Sequence, residues 1–247
     1  MPTPTERFLA QNKYLAVVTP SGNNVVERVT AGVLSHFPAV VPLHSRTPVF
    51  GTSDPFPGSY DWQSMARAAE LLGHAKPGLI VWNGSKGGSV GHKVEEELVQ
   101  RLSETAGCPA TTSLFAQIDA LNALGAKRIG FVTPYLDPYQ AKVETNFAAL
   151  GFETVSRANL RLTDNLSYAF VPLDTIREQA RDAAKAKPDV LIGWCTNYPA
   201  AIVAAEIEAE TGIPFHDATS IVIWKALKML GVDPAPAAAA WGSVFKL

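Results

Sequence analysis

The sequence has only two cysteines, no excess of charge of either sign and no clustered histidines. Two cysteines cannot build a disulfide framework, which indicates a reducing compartment. The 21 basic and 23 acidic residues leave a formal net charge of −2, so no basic surface predicts binding to nucleic acid or to an anionic membrane. The five histidines show neither H-x-x-x-H nor Cys/His ligand spacing, and we therefore expect no metal site.

Long apolar runs are missing as well. Although 47% of the residues are hydrophobic, charged residues, glycine or proline interrupt every apolar run well short of the roughly 18 residues that a membrane span needs. Residues 1–7 lack the basic and apolar regions of a signal peptide. The dinucleotide fingerprint G-x-G-x-x-G is also absent. The sequence therefore predicts a cytoplasmic protein that works without a cofactor.

Short β-branched runs alternate with longer stretches of helical periodicity. This alternation predicts parallel sheets covered by helices, in which ligands bind beyond the carboxyl ends of the strands. Strands are predicted at Tyr14–Thr19, Ala39–Leu43, Gly78–Trp82, Arg128–Val132, Thr154–Ala158 and Asp189–Trp194. Helices are predicted at Asn24–Ser35, Trp62–Leu72, Lys93–Thr105, Leu114–Leu124, Pro138–Leu150, Leu173–Lys185, Ala200–Glu210 and Ser220–Leu230.

The two halves of the chain repeat one pattern. Leu79–Ser85 and Leu191–Asn197 are each followed by a helix, a Gly-x-Pro break, a short strand and a second helix, with Trp82 aligned to Trp194. The repeat predicts an α/β fold of two pseudo-symmetric lobes with the active site between them, although any α/β protein shows some such similarity by chance. Lobe 1 is predicted to comprise residues 1–113 plus 216–247, and lobe 2 residues 114–215.

Small or polar residues follow five of the predicted strands. Their N–H, amide and hydroxyl groups are donors that can hold an anion. Simpler explanations exist for several of them: Ser21 and Asn23 suit N-caps, Asp164 and Asn165 suit a turn, and Tyr135 suits an ordinary half-buried position. The five loops are Thr19–Asn24, Asn83–Ser89, Thr133–Asp137, Leu162–Asn165 and Cys195–Asn197.

Cys195 is the thiol placed for chemistry. It lies between the buried run Val190–Gly193 and a predicted helix, whose N-terminus favours a thiolate or a bound carboxylate. Its reference pKa of about 8.5 keeps a free thiol protonated at neutral pH, so it can also act as an acid. Cys108 precedes Pro109 and has no polar neighbours in the sequence. The alternative is that Cys195 is an inert buried cysteine.

Four stretches carry a resemblance to a known family: Pro20–Glu27, Thr133–Tyr135, Asp164-Asn165 and Trp194–Asn197. Together they resemble the aspartate/glutamate racemase superfamily, and within it the branch of maleate cis–trans isomerases and arylmalonate decarboxylases. The similarity runs over nearly the whole chain. It implies two pseudo-symmetric lobes, a small dicarboxylic acid as substrate and an enediolate intermediate.

Isomerase and racemase members of that superfamily have one cysteine from each lobe facing the substrate. The resemblance assigns the second-lobe position to Cys195, whereas the first-lobe position falls at Asn83 or Gly84, neither of which is a thiol. Arylmalonate decarboxylases likewise keep the second cysteine and carry glycine in the first position. The resemblance therefore implies a cofactor-independent decarboxylase with Cys195 as the catalytic acid. The alternative is an isomerase or racemase in which Lys86, or the neighbourhood of Asn83, replaces the first thiol.

The expected site must stabilise the enediolate and desolvate the leaving carboxylate. Asn23 and Asn165 match the isomerase pattern better than the decarboxylase one, and Lys86 either binds a second carboxylate or points to solvent. For the remaining carboxylate the candidate donors are Ser85, Tyr135, Asn23 and the backbone N–H groups of Cys195 and Thr196, and for the apolar side the candidates are Trp82, Trp194 and Val81. The candidate substrate-binding residues are Asn23, Gly84, Ser85, Lys86, Tyr135, Asn165 and Thr196.

A non-catalytic solute-binding protein is the third interpretation, because two α/β lobes with a carboxylate cleft also describe that class. The lack of an export signal and the lone strand-end thiol argue against it. The expected partner is a small dicarboxylate, with neither nucleic acid nor membrane, and a homo-oligomer is compatible with the sequence.

Overall fold

Two four-stranded parallel sheets form the frame of the molecule in the computed structural model, which describes Thr3 and residues 13–247. This two-lobe α/β architecture confirms the predicted fold class. The first sheet contains β1 (Lys13–Pro20), β2 (Val40–Thr47), β3 (Leu79–Trp82) and β4 (Ala110–Thr112), in the order β2-β1-β3-β4. The second contains β5 (Arg128–Thr133), β6 (Glu153–Asn159), β7 (Val190–Gly193) and β8 (Phe215–Asp217), in the order β6-β5-β7-β8.

Helices connect the parallel strands and cover the sheets. Side-chain caps and glycines set several of their ends: Asp61 accepts a hydrogen bond from the Ser64 N–H, and Gly125 ends another helix in the left-handed conformation. The α-helices are α1 (Val26–Leu34), α2 (Trp62–Gly73), α3 (Gly87–Val90), α4 (His92–Ala106), α5 (Ser113–Leu124), α6 (Asp137–Ala149), α7 (Asn165–Tyr168), α8 (Leu173–Ala184), α9 (Ala204–Thr211), α10 (Ser220–Met229) and α11 (Ala238–Trp241). Short 3₁₀ helices lie at Pro199–Val203, Ala235–Ala237 and Ser243–Lys246.

Most predicted elements agree with the structure to within two residues at each end. Strand β2 continues to Thr47, beyond its predicted end at Leu43. The prediction ended too early because the second half of the strand is only half-buried and lacks the apolar run that marks its start. The predicted helix Ala200–Glu210 begins as a 3₁₀ turn and becomes α-helical at Ala204. None of the helices in the described part of the chain is long and apolar enough to cross a membrane. Of the N-terminal residues 1–7 considered for a signal peptide, all but Thr3 lie outside the described residues.

The strand registers correct the alignment of the two halves. Trp82 pairs with Val18 in the first sheet, and Gly193 pairs with Val132 in the second. Val18 and Val132 each begin the same tripeptide, Val-Thr-Pro, so Trp82 is equivalent to Gly193 and not to Trp194 as predicted. The alignment of the loops after β3 and β7 therefore shifts by one residue from the predicted one. The first-lobe equivalent of Cys195 is therefore Gly84.

Each lobe has its own apolar core, and two helices cross between the lobes. Helix α10 follows the second sheet but packs against Leu15 and Leu79 of the first, whereas α5 contributes Leu114 to the second-lobe core and Ala116 to the first. The predicted division of the chain stays a prediction, but its boundary between residues 215 and 216 falls inside β8. Because β8 pairs with β7, Phe215–Asp217 as a whole belong to the second sheet.

Candidate active site

A cavity of about 480 Å³ lies between the lobes, at the carboxyl ends of both sheets. The loops that follow β1, β3, β5 and β7 meet there because the two sheets present the same edge to each other. Of the eight candidate residues, Gly84 is the one that does not line the cavity. The seven that do are Asn23, Ser85, Lys86, Tyr135, Asn165, Cys195 and Thr196.

The Cys195 thiol lies at the wall of this cavity and is 3% exposed. Burial raises the pKa of Cys195 from its ordinary value to about 12, although hydrogen bonds from Tyr135, the Asn197 N–H and Ser85 favour the thiolate. The negative charge of Asp217 also raises this pKa. Cys195 therefore holds its proton at neutral pH, which suits a proton donor better than a nucleophile.

Ser85 and Tyr135 form a pair of hydroxyls that bridges the two lobes. Their oxygens are 2.9 Å apart, and both side chains are hydrogen-bond partners of Cys195. Burial raises the pKa of Tyr135 well above its ordinary value, and the neighbouring Cys195 raises it further, so the phenol stays a neutral O–H donor. Two O–H groups beside a thiol can hold a carboxylate next to the group that delivers a proton.

Asn23 and Thr196 face each other across the cleft. Asn23 Oδ1 accepts hydrogen bonds from the N–H groups of Val25 and Val26, both at 2.8 Å, just before and at the start of α1, whose N-cap residue is Val25. The same bonds fix the amide so that Nδ2 donates to Thr196 Oγ1 at 3.4 Å. The Cys195 N–H, expected as an anion donor, instead donates to the Gly193 carbonyl at 3.2 Å.

Asn197 is a site residue that sequence reasoning missed, although it stands in the cysteine loop. Its Oδ1 accepts from the Asn24 N–H at 2.9 Å, and its Nδ2 donates to the Asn165 carbonyl at 2.6 Å. One amide thus joins the loop after β1, the loop after β7 and the start of α7. The sequence signal was its place in the loop Cys195–Asn197, in which only Cys195 and Thr196 were chosen as candidates.

Gly84 stands at the first-lobe position, where the Trp82 indole leaves little room for a side chain. A Cβ atom at Gly84 would lie 2.2 Å from the Trp82 indole. Asn83, the other residue considered for this position, is fully buried and donates to the Thr219 carbonyl at 3.3 Å, away from the cavity. The first lobe therefore presents no thiol at the position equivalent to Cys195.

The apolar side of the cavity differs from expectation. Trp82 lines it, but Trp194 and Val81 do not. Trp194 packs edge-on against Phe147 with ring centroids 5.3 Å apart, and Val81 lies in the first-lobe core. The apolar wall comes instead mainly from residues 48–61 after β2, for example Val49 and Phe56. This loop was missed because the end of β2 was predicted at Leu43, four residues before the true end at Thr47. Residues 48–61 were therefore not recognised as a loop that follows a strand.

Lys86 lines the cavity and does not point to solvent, which corrects one of the two alternatives for this residue; its binding of a second carboxylate stays a prediction. Its ammonium donates to Asp54 Oδ1 at 2.8 Å and to the Phe56 carbonyl at 2.7 Å, and it lies 5.7 Å from the centroid of the Tyr60 ring. The side chain is 13% exposed. Its charge is thus neutralised within the cavity wall.

A buried carboxyl supports the wall from behind. Glu95 is fully buried, accepts a hydrogen bond from the Tyr60 hydroxyl and lies so close to Gly87 that a Cβ there would be 2.5 Å from its carboxyl carbon. Burial raises the pKa of Glu95 to about 7, although hydrogen bonds from Thr112 and Tyr60 favour its charged form. The carboxyl is therefore largely protonated below neutral pH.

Glu95→Gln is expected to stabilise the protein more at pH 8 than at pH 4. The folded-state pKa of about 7 is above the ordinary 4.5, so the stability that protonated Glu95 contributes is complete below about pH 4.5 and is lost as the pH rises to about 7. Glutamine cannot ionise and escapes this loss. Urea unfolding of both proteins from pH 4 to 8 measures the effect, and a difference in unfolding free energy that is constant across this range would contradict it.

Two further patterns lead to no site. In the described part of the chain, no group of three His, Cys, Asp or Glu side chains could hold a metal ion. Ser89 stands in the pattern Gly-x-Ser-x-Gly, but it lies inside α3, and its hydroxyl is hydrogen-bonded to the Lys86 carbonyl and to the Tyr139 hydroxyl, both at 2.9 Å. A serine nucleophile needs a base as the hydrogen-bond partner of its hydroxyl, and neither a carbonyl nor a phenol serves as one.

Comparisons with known proteins agree with this arrangement. A family model described as arylmalonate decarboxylase matches residues 84–245. The chain is 28% identical over 230 residues to a maleate isomerase of Nocardia farcinica, covering 90% of this chain and 91% of that relative. It is 25% identical over 151 residues to an arylmalonate decarboxylase of Bordetella bronchiseptica, covering 60% and 62% of the two chains.

A solved structure shows the same fold over both lobes. It is a cysteine-to-serine variant of the maleate cis–trans isomerase of Nocardia farcinica, with a covalently bound succinylcysteine intermediate. The superposition has a TM-score of 0.81 at 22% identity and covers 94% of this chain and 98% of that one.

Proposed function

The chain belongs to the arylmalonate decarboxylase family, and from this premise we propose that it decarboxylates a small dicarboxylic acid without a cofactor and reprotonates the product from Cys195. Relatives of the chain carry the names of two activities, decarboxylase and cis–trans isomerase. The family resemblance implies a cysteine for both activities, with one thiol facing the substrate in the decarboxylase and two in the isomerase. The cytoplasmic location and the dicarboxylate partner stay predictions.

The observation that carries the proposal is the pair of equivalent positions, Gly84 in one lobe and Cys195 in the other. The sequence has one further cysteine, Cys108, which packs in the first-lobe core behind the sheet and does not line the cavity. A succinylcysteine intermediate in a cysteine-to-serine variant of the relative requires a second thiol as nucleophile. This chain offers none, and burial raises the pKa of its one cavity thiol, which favours the protonated form.

The proposed reaction needs only a proton and a carboxylate pocket. The bond between the α-carbon and one carboxylate breaks, carbon dioxide leaves, and the electron pair moves into the remaining carboxylate to give an enediolate. Ser85, Tyr135 and the Asn23 amide are the donors near the thiol that would hold its two oxygens. Cys195 then gives its proton to the α-carbon, and the thiolate regains a proton from water.

Isomerisation of maleate is the second candidate. It is supported by the 28% identity to a maleate isomerase over 90% of this chain, and by the Asn23 and Asn165 amides that line the cavity. In that reaction Cys195 would have to act without a first-lobe thiol. Addition to the double bond would then fall to Cys195 itself, whose pKa of about 12 makes it a weak source of thiolate.

The test is incubation of the protein with maleate, methylmalonate, phenylmalonate and methylphenylmalonate, followed by NMR. Decarboxylation of a malonate in deuterated water, with deuterium on the α-carbon and a single enantiomer from methylphenylmalonate, is the expected result. Racemic product would contradict protonation from one face. Formation of fumarate from maleate, without release of carbon dioxide from any malonate, would establish the second candidate instead.

A further inference from the structure

The stretch of residues 48–61, called here the covering segment, forms more of the cavity wall than any other part of the chain. It follows β2 and contains no regular helix or strand. Its apolar side chains include Val49, Phe50, Phe56 and Tyr60. Since a segment without regular hydrogen bonding is held only by its anchors, the anchors decide the shape of this wall.

Contacts from both lobes hold the covering segment. At its start, Val49 is tied to the first-lobe loop, because the Gly22 N–H donates to the Val49 carbonyl at 2.9 Å. In the middle, the Asn165 N–H of the second lobe donates to the Gly51 carbonyl at 3.1 Å. Beyond Gly51 the segment has two anchors: Lys86, which lies next to Ser85 in the first-lobe loop, and the buried Glu95, which accepts a hydrogen bond from the Tyr60 hydroxyl.

The Lys86 anchor is the strongest of these in chemical terms. Its ammonium makes two charge-assisted bonds within the segment, to the Asp54 carboxylate and to the Phe56 carbonyl, and Asp54 also accepts from the Phe56 N–H at 2.9 Å. Hydrogen bonds of an ammonium are about twice as strong as neutral ones. A single side chain therefore fixes the turn that carries Phe56 into the wall.

We propose that the Lys86–Asp54 ion pair is a clasp that fixes the covering segment as the apolar wall, which makes Lys86 a specificity-determining residue for the apolar substituent of the acid. This inference rests on the proposed function. The clasp begins one residue after Ser85, beside the hydroxyl pair that contacts Cys195. The substituent is therefore held in a fixed direction from the reacting carbon, and the Lys86 charge takes no part in binding a carboxylate.

Hydrogen–deuterium exchange of the protein without substrate tests the clasp itself. Lys86→Met is expected to speed amide exchange in residues 52–61 roughly tenfold, because the segment loses two bonds to a charged donor. Lys185→Met is the matched control: it removes an exposed lysine–aspartate pair of similar length, 2.9 Å to Asp182, at the end of α8. Unchanged exchange in Lys86→Met would overturn the proposal.

A double-mutant cycle with Asp54→Asn measures the coupling between Lys86 and Asp54, so that the test does not depend on the Lys86→Met variant alone. Asparagine retains the size of Asp54 but removes its charge, so Lys86→Met is expected to speed exchange less in that background than in the wild type. Equal effects in both backgrounds would show that the two residues act separately and would overturn the clasp.

Kinetics with two acids then test specificity. Lys86→Met is expected to raise the KM for phenylmalonate about tenfold and that for methylmalonate less than about twofold, with similar kcat values, since only the larger substituent reaches the wall. An equal rise in KM for both acids would mean that Lys86 binds a carboxylate, and would overturn the proposal. If the wild type turns over neither acid, the proposed function fails, whereas the exchange experiment, which needs no substrate, still decides on the clasp.

Discussion

Cys195→Ser is expected to lower the rate of product formation by about 10²–10⁴-fold, the usual contribution of a positioned general acid. The serine hydroxyl nearly matches the thiol in size, and so the fold and the cavity should remain. The serine hydroxyl is a much weaker acid than the thiol, so the enediolate would be protonated more slowly, by water. NMR assays of substrate loss and product formation, with the melting temperature as a check on folding, measure the effect.

Cys108→Ser is the control for this substitution. Cys108 is half-buried in the first-lobe core and lies outside the cavity, so its replacement should leave the rate within about twofold of the wild type. A Cys195→Ser protein with wild-type activity would remove the thiol from the mechanism and favour the binding-protein interpretation. Loss of activity in both variants would point to a second thiol-dependent step.

Tyr135→Phe is expected to lower kcat by about 10²–10³-fold, corresponding to roughly 3 kcal/mol, because one donor to the developing oxyanion is removed. The KM should change little, since the donor acts mainly when charge accumulates on the carboxylate oxygens. Ser85 would lose its partner at 2.9 Å, and Cys195 would lose a hydrogen bond that favours its charged form. Steady-state kinetics on the best substrate of the acid panel give both constants.

Tyr139→Phe provides a matched comparison. Tyr139 also lines the cavity and packs against Tyr135 with ring centroids 4.6 Å apart, but its hydroxyl accepts a hydrogen bond from Ser89 and has no such contact with Cys195. Its variant should retain most of kcat. Equal losses in the two variants would argue that the aromatic wall as a whole, and not the Tyr135 hydroxyl, supports turnover.

The fold was predictable because the sequence marks it twice. The buried β-branched runs around Val17, Val81 and Ile192 are typical of strands inside a parallel sheet. The order of elements also repeats in both halves of the chain. The overlay failed by one residue because it matched two tryptophans by identity. Backbone pairing, which the sequence does not display, makes Gly193 the equivalent of Trp82.

The lining of the cavity was predictable where it consists of strand-end residues, as at Asn23, Tyr135 and Cys195, because parallel sheets bring such positions together. It was not predictable where partners come from distant loops. Nothing in the sequence around Lys86 points to Asp54, 32 positions away, and the covering segment has no periodicity that would mark it as a wall. The raised pKa of Cys195 is likewise a property of burial, which the sequence expectation of about 8.5 did not include.

The close packing of Trp82 over Gly84 limits how this lineage can change by mutation. A thiol at position 84 would be needed for chemistry with two cysteines, yet any side chain there begins 2.2 Å from the indole and carries an overpacking cost of about 1–3 kcal/mol. Loss of the indole first would leave a void in the wall. A smaller residue at position 82 would relieve this contact, so the cost of a thiol at position 84 depends on the residue at position 82.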